Sequence, residues 1–186
     1  MRRLLAIALV SFALLAKAQE EVGIEKSLFG VQAGIMGIWA NHELKLANTV
    51  ALRTEIGFVK TNWIIGTKKE EPIIPLVLTV EPKCYFNIAK RYSQGKRIDN
   101  NAAEYFSIQM TYQPLFILGK QNSNISIIPT YAQRSNIGKH FNYEVGGGMG
   151  YGYFFKSGNN DLKYGSDWAF NIVLRIGYTF SVKRNL

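Results

Sequence analysis

The segment WAFNIVLRIGYTF, residues 168–180, alternates large apolar side chains with small or polar ones at every second position. One face consists of aromatic and aliphatic side chains. The other face is mixed and consists of Ala169, Asn171, Val173, Arg175, Gly177 and Thr179. A period of two is typical of a β-strand whose two faces meet different environments. The segment therefore predicts a strand that lies between an apolar and a more polar region.

The same alternation recurs upstream, interrupted at fairly regular intervals by turn-forming residues, and a helical period is almost absent. We predict strands at residues 28–37, 38–47, 50–63, 73–88, 104–118, 125–137, 140–155 and 167–180. An even number of alternating strands is typical of an up-and-down transmembrane barrel. The sequence thus predicts an all-β, eight-stranded antiparallel barrel, and it leaves open whether residues 28–47 form one bent strand or two. Prolines at 75, 82, 114 and 129 fall inside these strands, where we expect bulges or strand ends.

The predicted connections differ in length. Asn48-Thr49 and Gly138-Lys139 read as tight turns, whereas residues 64–72 and 156–166 read as longer polar loops. Short turns on one side and longer loops on the other are typical of bacterial outer-membrane barrels, whose termini lie in the periplasm. Residues 89–103 form an exception, because this long basic loop falls on the side of the short turns.

The N-terminus has the features of a secretory signal peptide: basic Arg2 and Arg3, an apolar run from Leu4 to Leu15, and Ala16-Lys17-Ala18. We expect residues 1–18 to be removed and residues 19–186 to form one barrel domain in the cell outer membrane. Cleavage takes three positive charges from a formal net charge of +9, so the remaining chain stays basic. An exported basic chain meets anionic lipid and lipopolysaccharide rather than nucleic acid. The single cysteine excludes an intramolecular disulfide.

Charged residues within the predicted strands all fall on the face opposite to the apolar one. They are Glu43, Lys45, Arg53, Glu55, Glu81, Lys83, Arg134, Glu144 and Arg175. Because the two signs are nearly balanced, we predict an interior network of salt bridges that fills the lumen and leaves no open pore. A soluble lipocalin-like barrel has the same period with its apolar face inside. Aromatic residues at strand ends and uncharged strand centres favour lipid on the outside.

Several segments resemble a known family: LFGVQAGIMGIWANHELKL, VALRTEIGF, LTVEPKCYFNIAKR, SIIPTYAQRSNIGKHFNYEVGGGMGYGYFF and LRIGYTF. They resemble the small, uncharacterised outer-membrane β-barrel proteins of Bacteroidetes-type Gram-negative bacteria. The family implies a location and a fold but no substrate or catalytic residues. Gly177, Tyr178 and Phe180 also resemble the C-terminal signal read by the barrel assembly machinery, which implies that machinery as a transient partner. Residues 181–186 follow this signal, a departure from its terminal position.

The glycine-rich run at residues 146–152 lacks the following helix that a phosphate-binding loop needs. We expect these inward glycines to let the sheet coil tightly. The sharper hypothesis is a small cavity near the outer mouth, lined by Thr130, Gly148, Gly150, Gly152 and Ala169. That cavity supports the alternative function, a barrel that binds or transports a small ligand.

No constellation for catalysis or metal binding is visible in the sequence. His42 is predicted to face lipid, and His140 is predicted to be a turn residue that bonds Glu144 or a backbone carbonyl. Neither histidine has a metal-ligand spacing, and no serine motif accompanies them. We therefore expect a monomeric, non-enzymatic barrel without metal or cofactor, whose role is structural, envelope-maintaining or a surface interaction.

Overall fold

A computed structural model describes residues 22–59, 76–117, 120–155 and 165–180, without the side chains of residues 115–122. Eight antiparallel strands form a closed up-and-down barrel in which each strand pairs with the next and β1 pairs with β8. The strands are β1 Ser27–Gly34, β2 Gly37–Ala47, β3 Val50–Val59, β4 Leu76–Tyr85, β5 Glu104–Ile117, β6 Lys120–Ile137, β7 Phe141–Phe154 and β8 Gly165–Phe180. The predicted all-β, eight-stranded antiparallel architecture is confirmed.

The open question about residues 28–47 is answered by two strands. A two-residue turn at Ile35-Met36 separates β1 from β2, and Gly34 pairs with Gly37 across it. The two predicted tight turns are also present, between β2 and β3 and between β6 and β7. Gly138 has a φ of +74°, which a residue without a Cβ adopts at little cost. The predicted long loops at 64–72 and 156–166 lie outside the described residues, except that residues 165 and 166 already belong to β8.

Of the two expected outcomes, a bulge or a strand end, no bulge is present at the three described prolines. Pro82 and Pro129 lie where the pairing of β4 with β5 and of β6 with β7 is interrupted, but the register on both sides is unchanged. Pro114 lies beyond the last pair of β5 with β4, so its missing N–H leaves the β4–β5 ladder intact. The one register shift in the described pairing falls between Lys45 and Ala47 on β2. Pro75 lies outside the described residues.

The outer surface of the barrel is apolar and carries aromatic side chains near both ends. Between the ends lie exposed aliphatic side chains such as Val31, Ile56, Val80, Ile172 and Leu174. We call the end that holds Ser27 and Phe180 the terminal end. The terminal belt of exposed aromatic residues consists of Phe29, Phe86, Phe106, Tyr131, Phe141 and Phe180. The opposite belt consists of Phe58, Tyr112, Tyr151, Tyr153, Phe155 and Trp168.

A plug closes the terminal end. It consists of residues 22–26 and of the β4–β5 connection, residues 86–103, which holds a short helix α1 (Ile88–Ser93) and a 3-10 turn at Asp99–Asn101. Ile24, Ile88 and Ile98 pack together with Ala51 and Ala103 in a buried cluster. The predicted basic loop is therefore partly an internal element of the barrel. No helix in the described part of the chain is long and apolar enough to cross a membrane.

Candidate functional site

The barrel interior brings together eight of the nine predicted interior charges. Four are basic and four are acidic, and all eight are buried: Arg53, Lys83, Arg134, Arg175, Glu43, Glu55, Glu81 and Glu144. We call this set the ionic network. Its formal charges cancel, which offsets much of the free energy lost when charged groups leave water. Isolated buried charges without such partners are strongly destabilising.

Lys45 is the ninth predicted charge, and the structure places it half-buried near the terminal rim. Its pair with Ala51 is the last before the register shift of β2. Among the described residues, none of the ion pairs involves Lys45. A long lysine side chain at a strand end can keep its ammonium group in water while its stem packs on the barrel.

Glu144 on β7 is one centre of the ionic network. Arg134 of the neighbouring strand β6 donates its Nε–H to Oε1 at 2.5 Å, and Arg53 from across the barrel donates to the same oxygen at 2.9 Å. The hydroxyl of Tyr105 donates to Oε2 at 3.1 Å. Lys83 Nζ lies 3.9 Å from Oε1. Three cations and a phenol thus surround one carboxylate that is 1% exposed.

Glu43 on β2 is the second centre and connects the ionic network to the plug. Its Oε1 accepts the Tyr85 hydroxyl at 2.6 Å and the Asn101 side-chain amide at 2.5 Å. Its Oε2 accepts from Arg134 at 2.9 Å. Arg134 in turn donates to the backbone carbonyl of Asn100 at 2.9 Å. The plug is therefore held by charge-assisted hydrogen bonds, which are stronger than neutral ones.

The remaining pairs extend the ionic network toward the opposite end. Glu55 accepts from Arg175 at 2.9 Å and lies 2.6 Å from Arg53 Nε. Arg53 also donates to the side-chain oxygen of Gln32. The guanidinium of Arg175 lies 4.0 Å from the ring centre of Trp39, a stabilising cation–π geometry.

Lys83 is bound differently from the arginines. Its Nζ is buried without a hydrogen bond, 3.7 Å from Glu81 and 3.9 Å from Glu43 and Glu144, and 3.9 Å from the ring centre of Tyr105. Glu81 is further held by the Ser107 hydroxyl at 2.6 Å. Lys83 thus contributes charge balance to three carboxylates rather than directed bonds.

The neutral members of this interior are not among the residues predicted from the sequence. Tyr85, Tyr105, Gln32 and the plug residues Asn100 and Asn101 all bond ionic-network side chains or stand beside them. The signal for Tyr85 was present, because it lies two residues after Lys83 and therefore shares its face. In the sequence, however, aromatic side chains indicate the outer surface of the barrel. The plug residues follow no strand period, so no pattern pointed to them.

The ionic network closes the lumen where it lies. Arg53 and Lys83 are 0% exposed, and Glu43 and Glu144 are 1% exposed. A water-filled channel at this level would leave these side chains accessible. One small cavity of about 10 Å³, room for a single water molecule, adjoins Gln32, Asn41, Glu43 and Asn142.

The five residues of the predicted mouth cavity lie together on β6, β7 and β8, and close packing accounts for the absence of a side chain at two of them, Gly148 and Gly150. A Cβ built at Gly148 or Gly150 would lie 2.1 Å from a backbone carbonyl oxygen of β6. Asn171 donates to the Thr130 hydroxyl at 3.4 Å. At Gly152 the nearest atom would be the Cβ of Ala169, at 3.7 Å. Gly148 and Gly150 therefore permit the close approach of β6 and β7, in line with the expectation that inward glycines let the sheet coil tightly.

Both histidines lie away from the ionic network. His42 stacks on Phe29 with ring centres 4.2 Å apart and bonds the Ser27 hydroxyl at 2.9 Å. His140 Nδ1 lies 3.2 Å from the carbonyl oxygen of Thr179, the backbone contact predicted for this turn residue. Among the described residues, no three histidine, cysteine, aspartate or glutamate side chains are placed to hold a metal ion.

The predicted assembly signal lies on the strand that closes the barrel. Gly177, Tyr178 and Phe180 of β8 pair with Gln32, Val31 and Phe29 of β1. The ring of Phe180 is exposed and contacts Tyr178 with centres 5.2 Å apart. Residues 181–186 lie outside the described part of the chain.

Comparisons of the chain with protein families, with curated proteins and with solved structures find no match.

Proposed function

We propose that this protein is a non-enzymatic β-barrel of the outer membrane of a Gram-negative bacterium, with a structural, envelope-maintaining or surface-interaction role. The observation that carries the proposal is the distribution of polarity across the barrel wall. Charges are buried inside, and large apolar side chains are exposed outside. A barrel that is stable in water has the reverse arrangement.

The dimensions of the outer surface support a lipid environment. On β8 the outward apolar side chains run from Trp168 to Phe180, about 40 Å of strand at roughly 3.3 Å per residue. With a strand tilt of about 40°, this length covers roughly 30 Å along the barrel axis, similar to the hydrocarbon thickness of a bilayer. Between the terminal and opposite belts, the outward face of the described strands carries no charged residue.

The two belts support the same environment. Tyr151 stacks on Trp168 with ring centres 4.5 Å apart at the opposite end, and Phe86, Phe106 and Tyr131 contact one another at the terminal end. Amphipathic rings favour the boundary between headgroups and hydrocarbon. Soluble monomers rarely expose contiguous apolar surface on this scale.

The interior supports a structural role rather than transport. Its charges are mutually neutralised and inaccessible to water at the level of the ionic network, and the plug covers the terminal end. Such a barrel is a rigid monomer that presents its loops and its lipid-facing surface to partners. The partners we propose are outer-membrane lipid, lipopolysaccharide and, during assembly, the barrel assembly machinery. The predicted signal peptide and the resemblance to Bacteroidetes-type barrels are consistent with this location.

Fractionation and gel migration test the proposal. The full-length chain expressed in a Gram-negative host should be recovered in the outer-membrane fraction, and it should migrate faster on a detergent gel before boiling than after. Recovery as a soluble periplasmic protein after removal of residues 1–18 would contradict it. Addition to planar bilayers should produce no steady conductance, and a reproducible channel would contradict the filled lumen.

The alternative of a ligand-binding or transporting barrel has weaker support. The small interior residues that favoured it are in contact with neighbouring strands. They line neither the small cavity beside Gln32 and Asn142 nor a groove at the terminal end beside Phe86 and Lys90.

A further inference from the structure

A groove of about 400 Å³ lies at the terminal end, outside the plug core. It is bounded by Phe86 at the end of β4, by the helix α1 and the turn after it, and by Glu104 at the start of β5. Lys90, Arg91 and Lys96 line it. Its volume is within the range of small-molecule sites.

The three cations of the groove outnumber its one carboxylate, Glu104. Among the described residues, no carboxylate forms an ion pair with Lys90, Arg91 or Lys96. The acidic residues nearby already have other partners. Asp99 pairs with Arg97 at 3.0 Å, and Glu104 accepts the Tyr131 hydroxyl at 2.9 Å. The groove therefore has a net positive charge that is available to an anion from outside.

Local backbone structure gathers these cations on one side. The Asn87 side chain accepts from the backbone N–H of Glu104 at 2.9 Å and thereby ties the start of α1 to β5. After the helix, the Lys96 N–H returns to the Arg91 carbonyl at 2.9 Å. The turn brings Lys96 back beside the helix that carries Lys90 and Arg91, so the charges converge on one groove.

Phe86 connects the groove to the lipid-facing surface. It lines the groove, and its ring also contacts Phe106 at 5.2 Å and Tyr131 at 6.2 Å between centres. These three rings belong to the terminal belt, half-exposed on the outer wall. An anion held in the groove therefore lies directly beside an apolar surface, a geometry that fits an anionic amphiphile better than a free ion.

We propose that this groove binds the phosphodiester headgroup of an anionic glycerophospholipid, with the acyl chains along Phe86 and Phe106. Lys90, Arg91 and Lys96 neutralise the phosphate, and the aromatic rings support the glycerol and upper chain region. The assignment rests on the proposed membrane location, because the terminal belt must lie at the lipid boundary for the chains to extend from it. It adds a specific lipid contact that fixes how deeply this end of the barrel sits.

Binding of short-chain phosphatidylglycerol to the purified full-length chain in a neutral detergent tests the site by calorimetry. The double variant K90Q/K96Q should bind about thirtyfold more weakly, since each basic residue near a lipid surface contributes about 1 kcal/mol. The matched control K26Q/K139Q removes two exposed lysines from the same end outside the groove and should bind as the wild type. Both variants should keep the heat-dependent gel migration.

Three results would overturn the site. They are equal affinity of K90Q/K96Q and wild type, an equal loss in K26Q/K139Q, and binding of inorganic phosphate or a glutamate-rich peptide as tight as that of the lipid. The last result would assign the groove to a free anion or an acidic protein. The test is separable from the proposed location. A soluble chain that binds the lipid through Lys90 and Lys96 contradicts the location alone, and a membrane-recovered chain whose K90Q/K96Q variant binds normally contradicts the site alone.

Discussion

Neutralising Glu144 perturbs the ionic network at its most connected point. The Glu144→Gln change keeps the volume of the side chain but leaves Arg134, Arg53 and Lys83 around an uncharged amide. The interior then carries one uncompensated positive charge. Removal of one partner from a buried ion pair destabilises a protein by about 3–5 kcal/mol. We expect a loss of this size, since the carboxylate and its three cationic neighbours are almost fully buried.

The measurement is reversible urea unfolding in phospholipid vesicles, followed by tryptophan fluorescence and by the fraction that migrates as the folded form on unboiled gels. Glu104→Gln is the matched control, because Glu104 is a half-buried carboxylate at the rim outside the ionic network. That change should alter the free energy of unfolding by less than about 1 kcal/mol.

A second change that restores the neutrality of the interior makes the test more specific for charge balance. Lys83→Met alone should destabilise the barrel, because it leaves a net negative interior. In the Glu144→Gln background it restores neutrality, so the double variant should be more stable than the sum of the single effects by at least about 1 kcal/mol. A loss below about 1 kcal/mol for Glu144→Gln, together with additive double-variant energies, would refute the reasoning that charge balance holds this interior together.

Three further predictions concern the wall, the lipid face and the plug. Gly150→Ala should destabilise the barrel by about 2–3 kcal/mol in urea unfolding, because its Cβ would lie 2.1 Å from a β6 carbonyl oxygen. Gly152→Ala should be nearly neutral, because the atom nearest to its Cβ would be 3.7 Å away. Ile172→Arg places a charge at the centre of the outer apolar face and should lower the free energy of unfolding in vesicles by about 2–4 kcal/mol, whereas Ile137→Arg at the strand end should lower it by less than about 1 kcal/mol. Equal losses for the two variants would contradict the assigned depth. Asn101→Ala removes the hydrogen bond to the buried Glu43 carboxylate, so trypsin at a fixed concentration should cut the basic β4–β5 connection several times faster. An unchanged cleavage rate would show that the plug does not depend on this bond.

The strands and their faces could be predicted from the sequence because an up-and-down barrel repeats one simple rule. Side chains alternate between the outer surface and the lumen, so Arg53 and Glu55 mark the inside as clearly as Ile56 and Phe58 mark the outside. Eight of the nine predicted interior charges are gathered for this reason. Lys45 shares their face but lies near the terminal end of β2, where its long side chain can keep the ammonium group in water.

The plug could not be predicted because its structure depends on contacts distant in sequence. Asn100 and Asn101 adopt φ values of 55° and 57°, and their partners include Glu25, Glu43 and Arg134, none of which is near in sequence. Asparagine tolerates this backbone region better than most residues, so the pair of asparagines is a weak signal in retrospect. The inward position of Tyr85 could not be predicted for a different reason. A tyrosine ring suits both the lipid boundary and a buried hydrogen bond to a carboxylate.

Spin-label accessibility on β8 tests most directly whether the outer wall faces lipid. In a Cys84→Ser background, nitroxides are placed at residues 172 and 174, both outward and exposed, and at residue 139 in a turn of the terminal end as a water-exposed control. In vesicles, labels at 172 and 174 should collide mainly with oxygen, which concentrates in hydrocarbon, and the label at 139 mainly with a water-soluble nickel chelate. Frequent collisions of the 172 and 174 labels with the nickel chelate would contradict a barrel whose outer surface lies in the membrane.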